Sequence, residues 1–323
     1  MKPQLYVLIL ATALAACTGT QKTSTQPYTR LSPDFSADSA YKHIAGQCAF
    51  GPRVMNSAAH DSCALYIASR FQQYGATVIN QDAEGTLYDG TKIHMRNIIA
   101  STQPDNPVRI IICSHWDSRP WADQDNNPQM HHIPIDGAND GASGVAVMIE
   151  AARHIQQQAP AVGVDFICFD AEDCGTPYWD NTGDNTDTWC LGSQYWAGHH
   201  HTEGYTARYG ILLDMVGGSN CIFEKEAYSM HFAPSLVDKV WSRAQRLGYT
   251  DLFRNDQGNG IIDDHVQVNQ SGIPCIDIIA RDKDSDSFCK TWHTCADNLA
   301  NINKSTLQAV GQTILEIIYT EQP

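Results

Sequence analysis

The sequence has little of what marks a nucleic-acid binder, a membrane-spanning chain or a repeat protein. Its 323 residues carry 21 Lys and Arg against 36 Asp and Glu, a formal charge of −15, so it lacks the basic footprint that a phosphate backbone requires. No nucleic-acid partner is expected. No internal repeat or low-complexity tract divides the chain. The apolar run that opens it, residues 5–16, falls short of the roughly 20 residues needed to cross a bilayer as a helix. Eleven cysteines are present, yet no Cys-x-x-Cys pair supports a thiolate zinc site. What remains is a chain that is 42% apolar with ordinary charge and glycine content, enough for one large domain with a sizeable core.

The N-terminus reads as an export signal. Lys2, the apolar run and Leu14-Ala15-Ala16-Cys17 supply a basic start, an apolar centre and small residues before a cleavage point. The last four residues resemble a bacterial lipobox, which makes 1–17 a lipoprotein signal peptide and Cys17 the point of a lipid anchor. Residues 18–33, rich in Thr, Ser, Gln and Pro, read as a flexible tether, and 34–323 as a single catalytic α/β domain. The expected location is the cell envelope. Thr18 after Cys17 favours the outer membrane, facing the periplasm. An oxidising compartment permits disulfides, with Cys174–Cys190 and Cys289–Cys295 as candidate pairs; Cys113 and Cys168 sit in apolar runs and read as buried thiols.

Along the chain, apolar spacing predicts helices over 37–47, 59–74, 145–158, 234–247 and 305–319, the last capped by Ser305. Strands are expected over 76–80, 95–100, 108–113, 164–169, 210–217 and 273–280. The central one, Val164-Asp-Phe-Ile-Cys-Phe169, has the look of a parallel strand buried on both faces. Glu172 and Asp173 follow its carboxyl end, where open α/β sheets bind ligands. An acidic pair in such a place is commonly just a solvated loop entry. Other strand ends, however, send complementary groups: His115-x-Asp117 after 108–113, Asp214 within 210–217, and Trp292-His293-Thr294 beyond the last strand. Asp140 stands in a run of small residues, Gly137-Ala-Asn-Asp-Gly-Ala-Ser-Gly144. A helix cap alone would explain the Asp, but not so many small neighbours, which let the backbone pass close to something. His131 and His132, adjacent in a long loop, read as surface residues. Carboxylate and imidazole donors drawn from separate strand ends, without thiolates, suit zinc with an open position.

In the order His115-x-Asp117, Asp140, Glu172-Asp173, Asp214, Asp263-Asp264-His265 and Trp292-His293-Thr294, these motifs resemble the zinc aminopeptidase fold and, within it, the glutaminyl cyclases. The resemblance runs from about residue 40 onward. It implies a three-layer α/β sandwich around a mixed, mostly parallel sheet, with Asp140, Asp173 and His293 as ligands of one zinc ion and Glu172 as general acid/base. Asp214 and Asp263 would share a proton with Glu172, since neighbouring carboxylates raise one another's pKa. Trp292 would wall a narrow pocket, and Trp179 or Trp189 would line its mouth. The implied substrates are peptides or proteins with N-terminal glutamine, and a monomer is expected. The alternative is a dinuclear zinc aminopeptidase, in which His115 and Asp214 hold a second ion; a binding lipoprotein with a dead site is a third reading. Three positions depart from the cyclase pattern: Asp173 replaces the commoner Glu, Gly141 stands where animal cyclases carry Ser, and Asp277 where they carry His.

Overall fold

The computed structural model describes residues 28–180 and 186–323. The expected signal peptide, Cys17 and the first part of the tether lie outside the described residues. Eight strands form one sheet in the order β1-β2-β4-β3-β5-β8-β6-β7. They are β1 (Thr77–Thr86), β2 (Lys92–Thr102), β3 (Arg109–His115), β4 (Gly163–Phe169), β5 (Gly210–Asp214), β6 (Cys221–Lys225), β7 (Phe253–Gln257) and β8 (Cys275–Asp282). The middle of the sheet, β4-β3-β5-β8, is parallel. The β1-β2, β2-β4 and β8-β6 pairs are antiparallel, and β6-β7 is parallel. The mixed, mostly parallel sheet is the one expected.

Both parities of the central strands are apolar because each face of the sheet is covered. Ile110, Ile112, Phe166, Ile211 and Leu213 point into a large core shared with α1 (Ala37–Cys48), α2 (Ala58–Gln73), α3 (Ala142–Gln157), α6 (Pro234–Arg246) and α8 (Lys304–Thr320). Their neighbours Ile111, Cys113, Ile167, Phe169 and Leu212 point the other way, against Trp196 of α4 (Leu191–Gly198) and Val268 of α7 (Asp264–Gln270). The short α5 (Ala227–Phe232) packs beside β8. Asp165, an acid inside the buried β4, is matched by Arg109 Nε at 2.7 Å, Ser101 Oγ at 2.6 Å and Tyr205 Oη at 2.6 Å, as a buried charge requires.

The structure differs from the expected elements in several places. The β1-β2 hairpin is longer than the apolar signal because its outer part pairs through polar residues, including Asp82 with Arg96 at 2.6 Å. Strands β6 and β7 and helix α4 lacked a periodic signal. Asn303, not Ser305, caps α8: its side chain accepts from the backbone N–H of Ser305 and Thr306. Residues 28–33, expected in the tether, lie against α8. There the buried Glu316 carboxylate accepts from the N–H groups of Leu31 and Ser32 and from the Tyr28 hydroxyl. All ten cysteines within the described residues are free. Cys174 and Cys190 face different partners: Cys174 Sγ reaches Ala171 O at 3.5 Å, while Cys190 Sγ donates to Glu172 at 3.3 Å. Cys289 meets Cys221 rather than Cys295. Cys113 and Cys168 are indeed buried. No helix among the described residues is long and apolar enough to cross a membrane.

The small-residue run before α3 explains how Asp140 reaches the sheet. Gly141 has φ +88°, and a Cβ there would stand 2.6 Å from Asp117 O and 3.0 Å from the His115 ring. A Cβ on Gly144 would collide with Ser114 Oγ and Leu213 O. The helix start is thus wedged directly onto the ends of β3 and β5. Gly144→Ala is expected to destabilise the fold by about 1–3 kcal/mol, as overpacking does, read as a lower denaturation midpoint with an unchanged m-value.

Candidate active site

The carboxyl ends of β4 and β5, the approaches to α3 and α7 and the loop after β8 converge on one cavity of about 510 Å³. Its acidic floor holds Asp140, Glu172, Asp173, Asp214, Asp263 and His293. Its walls are apolar, chiefly Trp189, Ile261, Ile262, Ile279, Phe288 and Trp292. Three of the turns that present these groups pass through the left-handed region at residues other than glycine: Ala171 (φ +53°) before Glu172, Met215 (φ +50°) after Asp214, and His293 itself (φ +52°). Such conformations are uncommon outside glycine and cluster at functional sites.

Asp140, Asp173 and His293 offer donor atoms within 4.8 Å of one another. His293 Nε2 lies 2.9 Å from Asp173 Oδ1 and 3.6 Å from Asp140 Oδ2. Asp140 Oδ2 and Asp173 Oδ2 are buried without a hydrogen-bond partner, the state expected of oxygens shaped to hold a cation. A second group, His115, Asp140 and Asp214, meets the same spacing and shares Asp140. His115 Nε2 stands 3.0 Å from Asp140 Oδ1 and 3.3 Å from Asp214 Oδ1.

Several residues position these groups, and two of them, Asp123 and Asp297, carried no motif signal. Asp117 accepts from the N–H groups of Glu172 (3.1 Å) and Asp173 (3.0 Å), so the acid of His115-x-Asp117 orients the acidic pair. Asp297 accepts from the N–H groups of Asn139 and Asp140; burial and the nearby Asp140 charge raise its pKa to about 7. Asp123 Oδ1 lies 3.3 Å from His293 Nδ1 and is itself held by Arg119 at 2.6 Å. Burial alone would lower the pKa of His293, but the charge of Asp173 and its contacts with Asp123 and Asp173 outweigh that and hold it at about 9. A carboxylate on the far nitrogen of a ligating His typically contributes 10–100-fold to metal affinity. Asp123→Asn should therefore weaken metal binding by that factor, measured by competition with a chelator.

Glu172 is half-buried. Burial first, then the charge of Asp263, raises its pKa well above that of an ordinary carboxyl. Burial and Asp214 bring Asp263 to about 7. Behind Asp263, Asp277 and His265 lie within the same 4.8 Å spacing, and burial with the Asp263 charge pushes Asp277 well up. Trp292 stacks on His293 at 4.0 Å. Trp179 does not line the cavity. It packs instead among Trp121, Tyr178, His131 and His132, while Trp189 takes the wall position.

With this geometry in place, the comparisons with known proteins decide the family. The model of peptidase family M28 matches residues 97–318. The chain belongs to peptidase family M28. Its fold superposes on the glutaminyl cyclase of Bacteroides thetaiotaomicron with a TM-score of 0.89 and 49% identity, covering 90% of this chain and 100% of that one. A Zn-dependent exopeptidase from Parabacteroides distasonis gives 0.88 and 51%, again over 90% and 100%. Glutaminyl-peptide cyclotransferase of Gloydius blomhoffii is 24% identical over 253 residues, 70% of this M28 chain and 65% of that protein. The chain spans between about a third and two thirds of the length of the first curated relatives it matches.

Proposed function

We propose that the chain is a zinc-dependent glutaminyl-peptide cyclotransferase, converting N-terminal glutamine of peptides and proteins to pyroglutamate with release of ammonia. The observation that carries this reading is the meeting of the Asp140–Asp173–His293 donor set with Glu172, whose pKa burial raises, in one apolar-walled cavity. The likeness to a bacterial glutaminyl cyclase along that protein's whole length supports it. Two carboxylate oxygens and one imidazole nitrogen fit a single zinc ion with an open position. When bound, zinc supplies Lewis-acid polarisation of the glutamine side-chain carbonyl.

The chain's own residues do the rest. Glu172 takes a proton from the substrate amine as its nitrogen bonds to the side-chain carbonyl carbon. It then returns a proton to the nitrogen that leaves as ammonia, a role that needs a carboxyl poised near working pH. Burial and then the charge of Asp263 raise the Glu172 pKa, and Asp214 acts on Asp263 in the same way. The walls of Trp292, Phe288 and Ile262 exclude water and keep the flexible side chain folded back on its own amine. Because nucleophile and carbonyl belong to one molecule, orientation supplies much of the acceleration.

The His115–Asp140–Asp214 group favours a second reading, a dinuclear aminopeptidase. Zinc-loaded protein offered a glutaminyl peptide and its Nα-acetylated form separates the two. The cyclotransferase releases ammonia from the free-amine peptide alone. No ammonia at any pH from roughly 6 to 9, around an N-terminal amine pKa, would overturn the reading. For the N-terminus we infer lipidation at Cys17 and export to the cell envelope, supported by Leu14-Ala15-Ala16-Cys17. Mass analysis of the native mature N-terminus should find acyl chains on that cysteine. A single copy of the chain supplies every residue in the proposed mechanism.

A further inference from the structure

Between the last strand and Trp292-His293 the chain runs through an exposed loop, residues 283–287, before Phe288 and Cys289 turn inward. Phe288 packs against Trp292 with the rings tilted and their centroids 4.7 Å apart, and both form the cavity wall. The position of this wall depends on what holds the loop to the sheet. One tie is a backbone bond from Lys283 N–H to Asn220 O at 2.9 Å. A second contact lies beside it. Cys221, the first residue of β6 and the register partner of Asp282, donates from Sγ to Gly218 O at 3.3 Å. A Cβ on Gly218 would stand 3.5 Å from Cys289 Sγ. The two thiols thus flank the small space that Gly218 leaves, close enough to influence each other's ionisation.

We infer that Cys221 and Cys289 form an oxidisable pair that closes as a disulfide and pins the Phe288–Trp292 wall to the edge of β6. The bridge forms by thiol–disulfide exchange with a disulfide oxidant. The Cys221 thiolate attacks one sulfur of the oxidant and expels the other as a thiolate. Cys289 loses its proton and attacks Cys221 Sγ, expelling the second oxidant thiolate. Two protein thiols are oxidised, and one oxidant disulfide becomes two thiols. The neighbouring Cys289, then Thr306, hold the Cys221 pKa below the usual thiol range, whereas Cys289 is held above it, which makes Cys221 the attacking group. Cys221 is 6% and Cys289 5% exposed, but the exposed residues on either side of Phe288-Cys289 give an oxidant a route when the loop opens. Cys113 and Cys275 also touch. They are fully buried within the sheet and lack such a route.

The test uses the zinc-loaded full-length mature protein treated with oxidised glutathione, then alkylated, digested and mapped. The expected result is one linked peptide joining Cys221 to Cys289, no glutathione adduct retained on either residue, and a Tm higher by about 5 °C, the scale of a native-compatible disulfide in a chain of this size. Cys289→Ser should match the reduced parent in Tm and zinc content, and oxidant should no longer raise its Tm. A Cys289–Cys295 link, a stable glutathione adduct on Cys221, or both thiols still free after oxidation would overturn the inference. Cross-link mapping of the parent protein decides the matter even where the serine variant folds poorly.

Discussion

Replacing Glu172 by Gln should lower kcat by about 10²–10⁴-fold, the range set by loss of a general acid–base, with zinc content and thermal unfolding unchanged. The amide cannot shuttle the proton, yet it has nearly the same shape, and Glu172 is not among the three donors of the Asp140–Asp173–His293 set. A companion change checks the cause of its raised pKa. After burial, the charge of Asp263 is the strongest influence that penalises the Glu172 anion. Asp263→Asn removes that penalty, so the Glu172 pKa should fall and the acid limb of the kcat/KM profile should move to lower pH. A shift to higher pH would show that Asp263 acts in some other way.

His293→Ala should abolish stoichiometric zinc binding, a larger loss than the 10–100-fold expected for Asp123→Asn. The change removes one of three donors and leaves Asp140 and Asp173 facing each other in a buried pocket. Without metal, the 2.9 Å contact between His293 and Asp173 is also lost, and breaking one side of a buried ion pair costs about 3–5 kcal/mol. The variant should therefore be metal-free after dialysis and have a lower Tm than the metal-free parent. Retention of near-stoichiometric zinc would exclude His293 as a ligand.

What could be read in the chain beforehand divides along physical lines. Strands buried on both faces announce themselves by composition, so β3, β4, β5 and β8 were legible together with the acids and histidines at or beyond their ends. The edge strands β6 and β7 were not. Phe253–Gln257 presents mostly polar side chains, and only pairing with β6 makes it a strand. Within the site, groups aimed at the cavity were recognisable because ligand chemistry restricts their type and order. Asp117, Asp123 and Asp297 act through backbone N–H groups or the far side of an imidazole, and no spacing rule distinguishes such an Asp from a turn residue. His115-x-Asp117 was visible as a motif, but the work of its Asp in holding the N–H groups of Glu172 and Asp173 was not. Trp179 and Trp189 were equivalent in sequence, ten residues apart in one loop. Their separation came from packing: Trp189 lies nearly parallel to His293 with Arg119 over its ring at 4.5 Å, while Trp179 packs against His131 and His132. The thiol pairs failed for the same reason, because Cys221 and Cys289 are far apart in sequence and meet only through β6 and β8.

The choice between ring closure and hydrolysis is the centre of this account, and the fate of solvent oxygen tests it most directly. A glutaminyl peptide turned over in water labelled with heavy oxygen should yield a product lighter by one ammonia, with no label in any fragment and the peptide chain intact. Label in a newly freed carboxyl, whether from cleavage of the first peptide bond or from deamidation of the glutamine side chain, would contradict it.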